Sequence, residues 1–333
     1  MSAVLATVAA AAPAPDAQMK AVLDTLASLG AKPIETLTVE QARRQPSPAD
    51  AVKALLQKQG KSTAPEAVAR VEDRIISGPG AGIPVRIYWP KGDGPFPLIV
   101  YYHGGGWVIA NLDVYDSTPR ALANAVGAVV VSSHYRQAPE HKFPAAHDDA
   151  WTAYEWAIAN AADLKADRAR VVIAGESAGG NLAANVAITA RDKKMPAVHQ
   201  LLVYPIADTG MDTPSYRENA DAKPLSKAGM AWFFDKYPRS RADWQDARLA
   251  LLKARDLKGL PPATVVLAEI DPLRSEGEMY AEKLRAAGVD VAVQKYDGVT
   301  HEFFGMGAVH PKAKQAVAAA AERLRGSLSA MKK

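Results

Sequence analysis

Apolar residues at Met19, Val22, Leu23, Leu26 and Leu29 recur at helical spacing and stop at Gly30, which predicts an amphipathic helix with a glycine exit. Two shorter helices follow. Thr38 with Gln41 has the form of a capping box, and Ser47-Pro48 followed by Asp50 has the form of an N-cap with proline in the first turn. From Val71 the pattern changes to two strands, 71–77 and 83–89, joined by the glycine-rich turn 78–82. Downstream, apolar and mostly β-branched runs at 97–102, 128–134, 170–174, 200–204, 263–269 and 290–296 alternate with helical patterns that include 149–162, 180–191, 278–287 and 313–328. Continuous apolar runs suit strands covered on both faces, so the order predicts an α/β architecture: a mostly parallel, doubly wound sheet with an antiparallel start. The interval 205–258 is far longer than an ordinary connection and carries Met230, Trp232, Phe233 and Phe234. It reads as an insertion over the C-terminal edge of the sheet, where such sheets bind ligands.

At 333 residues and 48% hydrophobic content the chain can bury a large core. The net charge of +4 comes without a block of consecutive Lys or Arg, so no nucleic acid or anionic membrane is expected as a partner. The absence of cysteine excludes a disulfide, a thiolate nucleophile and a Cys-ligated metal. No apolar run approaches the roughly 20 residues that span a bilayer. Met1 to Pro15 is Ala-rich and apolar, but no Lys or Arg precedes Lys20, whereas a secretory signal normally begins with positive charge. The expectation is a flexible start and a cytoplasmic protein; a secreted or periplasmic one follows if that run is a signal.

The candidate chemistry begins where the strand 170–174 runs into Gly175-Glu176-Ser177-Ala178-Gly179-Gly180 and then a helix. Gly-x-Ser-x-Gly in a strand–turn–helix context is a nucleophile elbow: the turn is too tight for side chains at the glycines, and the serine is held strained and exposed at the positive end of the helix. Upstream, the strand 98–102 ends in His103-Gly104-Gly105-Gly106-Trp107. Three glycines leave backbone N–H groups unobstructed for a developing oxyanion, so Gly104 and Gly105 are the expected donors, joined by Ala178 beside the serine. His103 is expected to brace the loop. Trp107 reads first as a packing residue and, with Trp232, Phe233 and Phe234, is a candidate substrate contact.

These motifs resemble those of the hormone-sensitive-lipase-like esterases, a branch of the α/β-hydrolase fold. The resemblance covers most of the chain after about Val71 and includes the segment Tyr135-Arg136-Gln137-Ala138-Pro139-Glu140-His141-Lys142-Phe143-Pro144-Ala145-Ala146. Glu176 departs from it, since the family commonly has Asp or Thr there. The implied order of catalytic groups is serine, acid, histidine. His301, in a loop at a strand's C-terminal end, is then the base, and His310 beside Pro311 reads as a surface residue. Asp271 in Asp271-Pro272-Leu273 resembles the family's acid, with Asp208 as its rival. Glu269, Glu276, Glu302, Arg136, Asp148 and Asp149 read as structural. The predicted organisation is N-terminal helices in 1–50 forming part of a cap, a catalytic domain in 51–205 and 241–333, and a cap insertion in 206–240.

The implied activity is a serine carboxylesterase acting on short- to medium-chain esters, its partner a small-molecule ester, with no metal or cofactor. The same residues suit an amidase or peptidase. Some relatives are non-catalytic receptors that have lost a triad member, whereas Ser177, Asp271 and His301 are all present here. The resemblance further implies a homodimer paired through the last strand and a neighbouring helix.

Overall fold

In the computed structural model, which describes residues 13–330, the chain enters at Asp16. Its carboxylate accepts from Met19 N and starts α1 (Ala17–Ser28). Reciprocal capping boxes, Thr38 with Gln41 and Ser47 with Asp50, start α2 (Val39–Arg44) and α3 (Pro48–Lys58), as the residue types require. The boundary expected at residue 50 therefore falls inside α3, whose Leu55 and Leu56 are buried. The Ala-rich run 1–12 lies outside the described residues.

The strands and helices then follow as β1 (Arg70–Ile76), β2 (Ile83–Trp89), β3 (Phe96–Tyr102), α4 (Ser117–Val126), β4 (Val129–Ser133), α5 (Ala145–Ala159), β5 (Ala166–Glu176), α6 (Ala178–Asp192), β6 (His199–Val203), α7 (Pro214–Glu218), α8 (Lys227–Lys236), β7 (Ala263–Ile270), α9 (Arg274–Ala286), β8 (Val291–Thr300) and α10 (Pro311–Ala330). One eight-stranded sheet has the order β1-β2-β4-β3-β5-β6-β7-β8. The pairings β1/β2 and β2/β4 are antiparallel and the others parallel. The antiparallel start and the α/β-hydrolase order are those expected. The hydrophobic pattern leaves α4 unmarked: it has no side-chain cap and carries Pro119 near its start, and only its exit on left-handed Gly127 is a usual signal.

Alternation along each strand sends side chains to two separate apolar layers. Leu98, Val100, Val171 and Ile173 face one layer with α5, α6 and α9, whereas Ile99, Tyr101, Val172 and Ala174 face the other with α4 and α10. The buried stripe of α1 (Met19, Val22, Leu26) belongs to this second layer, where α1 packs on α3 and reaches β8. Trp232, Phe233 and Phe234, of the predicted cap insertion, lie in the first layer instead. What meets α8 is the turn Ile34–Thr36 that follows α1; Ile34 shares that layer, and Trp232 Nε1 donates to Leu37 O at 3.1 Å.

Candidate active site

The strand order reverses between β3 and β5, so loops leaving their C-terminal ends diverge and open a crevice. Both glycine motifs lie there. At the end of β5, Ser177 has φ 57° and ψ −119°, a left-handed backbone that a non-glycine residue holds only when its surroundings force it. A Cβ at Gly175 would run into the carbonyl of Gly179, and one at Gly179 into the carbonyls of Tyr102 and His103. Both glycines are therefore needed to bring the elbow against the end of β3. Among the described residues none accepts a hydrogen bond from the N–H of Gly104, Gly105 or Ala178. Phe233 lies over Gly106, where a Cβ would overlap its ring.

The loops after β7 and β8 bring the other two groups. Leu273 N donates to Asp271 Oδ1 at 2.9 Å, His301 Nδ1 donates to Asp271 Oδ2 at 2.7 Å, and Ser177 Oγ donates to His301 Nε2 at 2.9 Å. All three side chains are buried or nearly so. Burial disfavours the imidazolium, but Asp271, with Glu302 and Glu176 adding to it, outweighs that and raises the His301 pKa above its ordinary 6.5.

Glu176 and Glu302 form a feature that no spacing in the sequence announces. Glu176 accepts from Tyr101 OH at 2.6 Å and from Tyr204 OH. Burial and the nearby Glu302 push its pKa up to about 7 against the pull of those hydroxyls. Glu302, at φ 74°, accepts from Tyr115 OH at 2.6 Å and 2.7 Å, with Oε1 3.8 Å from His301 Nε2. Burial raises its pKa as well, against the pull of His301 and Tyr115.

The remaining candidates separate. His103 does brace the loop: Nδ1 donates to Gly104 O at 2.7 Å and Nε2 accepts from His134 at 3.0 Å. Burial and His134 push its pKa down to about 3, so it stays neutral. Arg136 pairs with buried Asp149, and Glu276 accepts from Ala207 N and Asp208 N, both structural as expected. Asp208 makes no contact with His301, whose Nδ1 is taken by Asp271. His310 is a correction: it is buried and contacts Asp16 at 3.0 Å, because α10 starts against the cap of α1. Trp107 packs, as its first reading had it: it has no exposed surface, holds φ 61° and stacks on Tyr237 at 4.5 Å. Trp232, Phe233 and Phe234 are buried too, and of these Phe233 touches the glycine loop.

A family model for the alpha/beta hydrolase fold matches residues 99–305, a span that contains the elbow, the glycine loop and both later loops. The chain belongs to the hormone-sensitive-lipase-like esterases. It is 42% identical over 268 residues to the carboxylesterase NlhH of Mycobacterium tuberculosis, which covers 78% of this chain and 84% of that protein. It is 33% identical over 302 residues to the ethyl acetate hydrolase of Pseudomonas putida, covering 89% of this chain and 92% of the relative. Among solved structures, the esterase of Pyrobaculum calidifontis superposes with a TM-score of 0.81 at 39% identity, over 88% of this chain and 94% of that one. A thermostable esterase from Pseudomonas putida reaches 0.85 at 34%, over 96% and 99%. This esterase is accordingly a carboxylic ester hydrolase. Among its described residues no cluster of His, Asp and Glu is arranged to hold a metal ion, and no helix is long and apolar enough to cross a membrane.

Proposed function

We propose that this esterase hydrolyses short- to medium-chain carboxylic esters through an acyl-enzyme on Ser177. The observation that carries the reading is the continuous relay Asp271–His301–Ser177, at 2.7 Å and 2.9 Å, beside three N–H groups with no partner among the described residues. In acylation, Ser177 Oγ bonds to the ester carbonyl carbon while His301 Nε2 takes its proton. The carbonyl oxygen becomes an alkoxide facing Gly104, Gly105 and Ala178. Asp271 holds the tautomer with Nδ1–H inward and stabilises the imidazolium. The bond to the alcohol oxygen then breaks, and Nε2 returns the proton to that leaving group. In deacylation a water gives its proton to Nε2 and attacks the acyl carbon; the Oγ bond breaks, Ser177 is reprotonated, and the acid departs.

We further assign α1 to α3 and residues 206–240 to a cap over Ser177, supported by the contact of the turn Ile34–Thr36 with α8 and by Phe233 on the glycine loop. A series of nitrophenyl esters and matched anilides tests the reading. Ester turnover is expected, with an acyl adduct on Ser177 detected by mass spectrometry and lost in Ser177→Ala. Turnover that survives Ser177→Ala, or a preference for the anilides, contradicts it.

A further inference from the structure

On the layer that holds α4 and α10, a cavity of about 1070 Å³ runs from α3 and the segment after it toward the underside of the elbow. Its walls are apolar, including Val52, Leu56, Phe304 and Val317, and Glu176, Glu302, Tyr115 and Thr118 are among its lining. Among the described residues neither Glu176 nor Glu302 pairs with a Lys or Arg; their hydrogen bonds come from tyrosine hydroxyls. Thr118 Oγ1, on a residue only 1% exposed, makes no well-formed hydrogen bond among the described residues, although it lies beside Glu176 and Tyr101. The other acids on the walls are already satisfied: Asp113 and Asp116 meet Arg86 and Arg120, and Glu66 holds Asn124. Lys53 and Lys314 line the cavity but are exposed.

Two carboxyl groups drawn together away from water, with no Lys or Arg beside them, repel each other and lose hydration whenever both ionise. A ligand that brings positive charge to that end and covers the apolar walls relieves both costs. We propose that this cavity binds an organic cation, an ammonium head at Glu302 and Glu176 carrying an apolar body along Val52, Leu56 and Val317.

Glu302 lies 3.8 Å from His301 Nε2, so an occupant also acts on the catalytic base. His301 faces Asp271 from the loop after β7, Glu176 from the end of β5, Tyr204 from the end of β6 and Glu302 beside it. Tyr115 faces Glu302 from the loop before α4. A cation at the two glutamates cancels charge that favours the imidazolium, and the low-pH limb of the rate profile moves down. This second consequence rests on His301 acting as the base for Ser177; binding itself does not.

The test is calorimetric titration of the full-length protein with hexyltrimethylammonium, choline (the head alone) and hexanol (the body alone). Saturable binding of hexyltrimethylammonium is expected, at least tenfold tighter than either fragment and weakened at least tenfold by Glu302→Gln or Glu176→Gln in variants with wild-type circular dichroism. Equal binding of hexanol, no saturable binding, or unchanged affinity in both variants overturns the proposal. Saturating ligand should lower the midpoint of the pH limb for nitrophenyl acetate in the wild type and leave Glu302→Gln unmoved. Faster hydrolysis of a choline ester than of its uncharged dimethylbutyl isostere assigns the cation to the alcohol part of a substrate; equal rates with binding retained assign it to a separate amine. If no ester is hydrolysed at all, the esterase mechanism fails while the titration still decides the cavity.

Discussion

In the proposed mechanism each residue of the relay depends on the next. Without His301 the Ser177 hydroxyl keeps its proton, and without Asp271 the imidazole loses its tautomer. Ser177→Ala, His301→Ala and Asp271→Asn are each expected to lower kcat by at least about a thousandfold, because such groups act as a unit. A folded variant keeping a tenth of wild-type turnover removes that residue from its role. His301 must be neutral to accept the serine proton, and its pKa is raised, so the low-pH limb of kcat/KM is expected to have its midpoint above the ordinary 6.5. A midpoint at or below that value in a pH series contradicts the charge arrangement around Nε2. Glu176 titrates in the opposite sense for stability. Its folded pKa of about 7 exceeds its ordinary 4.5, so the folded chain binds the extra proton and stability falls as pH rises through that window. Glu176→Gln, which keeps one oxygen to accept a tyrosine hydroxyl and offers an amide N–H to the other, should flatten that fall by on the order of 1–3 kcal/mol between pH 5 and 8, read from urea midpoints.

At the scale of elements, the site is a set of loop ends held by close backbone contacts. Gly179→Ala would force the start of α6 away from the carbonyls that end β3. It is expected to abolish activity and cost several kcal/mol, since overpacking against backbone cannot be relieved by a rotamer change. Gly288→Ala is the control: its φ of 84° is strained for alanine, but nothing lies within 4 Å, so stability should drop by only about 1 kcal/mol with turnover intact. At the other end of the chain, Asp16 accepts from Met19 N, contacts His310 and pairs with Lys312 at 2.7 Å. This ties α1 to the start of α10, so the N-terminal helices are part of the body as well as neighbours of α8. Asp16→Ala is expected to lower the unfolding free energy by about 1–2 kcal/mol with an unchanged m value. Unchanged stability would show that the tie carries no weight.

For the whole molecule, the proposed cap lies over Ser177 while the cavity with Glu176 and Glu302 in its lining lies on the layer of α4 and α10, so the proposals place acyl length and an organic cation on different sides. Each methylene of an acyl chain gains roughly 0.8 kcal/mol when buried, so kcat/KM should climb with length until the acyl pocket is full and then drop, between about six and ten carbons. Ile34→Ala, which thins the contact with α8 without cutting α1, should broaden that profile. A profile unchanged in Ile34→Ala would separate the N-terminal segment from the substrate site.

Most of this architecture is written locally. The apolar runs of β3 to β7, the capping boxes of α2 and α3, and the glycines flanking Ser177 each depend on neighbours within a few positions, and so they are legible from sequence alone. The alternation that predicts a strand does not say which layer a helix joins, so the docking of α1 could not be read from its stripe. Whether His310 is buried and where Trp107 points depend on chain arriving from far away in sequence, α1 in one case and Tyr237 in the other. The same holds for Glu176 and Glu302. Their residue types are plain in the sequence, but their closeness to each other, to three tyrosine hydroxyls and to Nε2 exists only once β3, β5, β6 and the loop after β8 meet. Local chemistry specified the elbow serine proposed as nucleophile and its cradle; the electrostatic setting of the proposed base was decided by tertiary structure, because charge interacts through space and not along the chain.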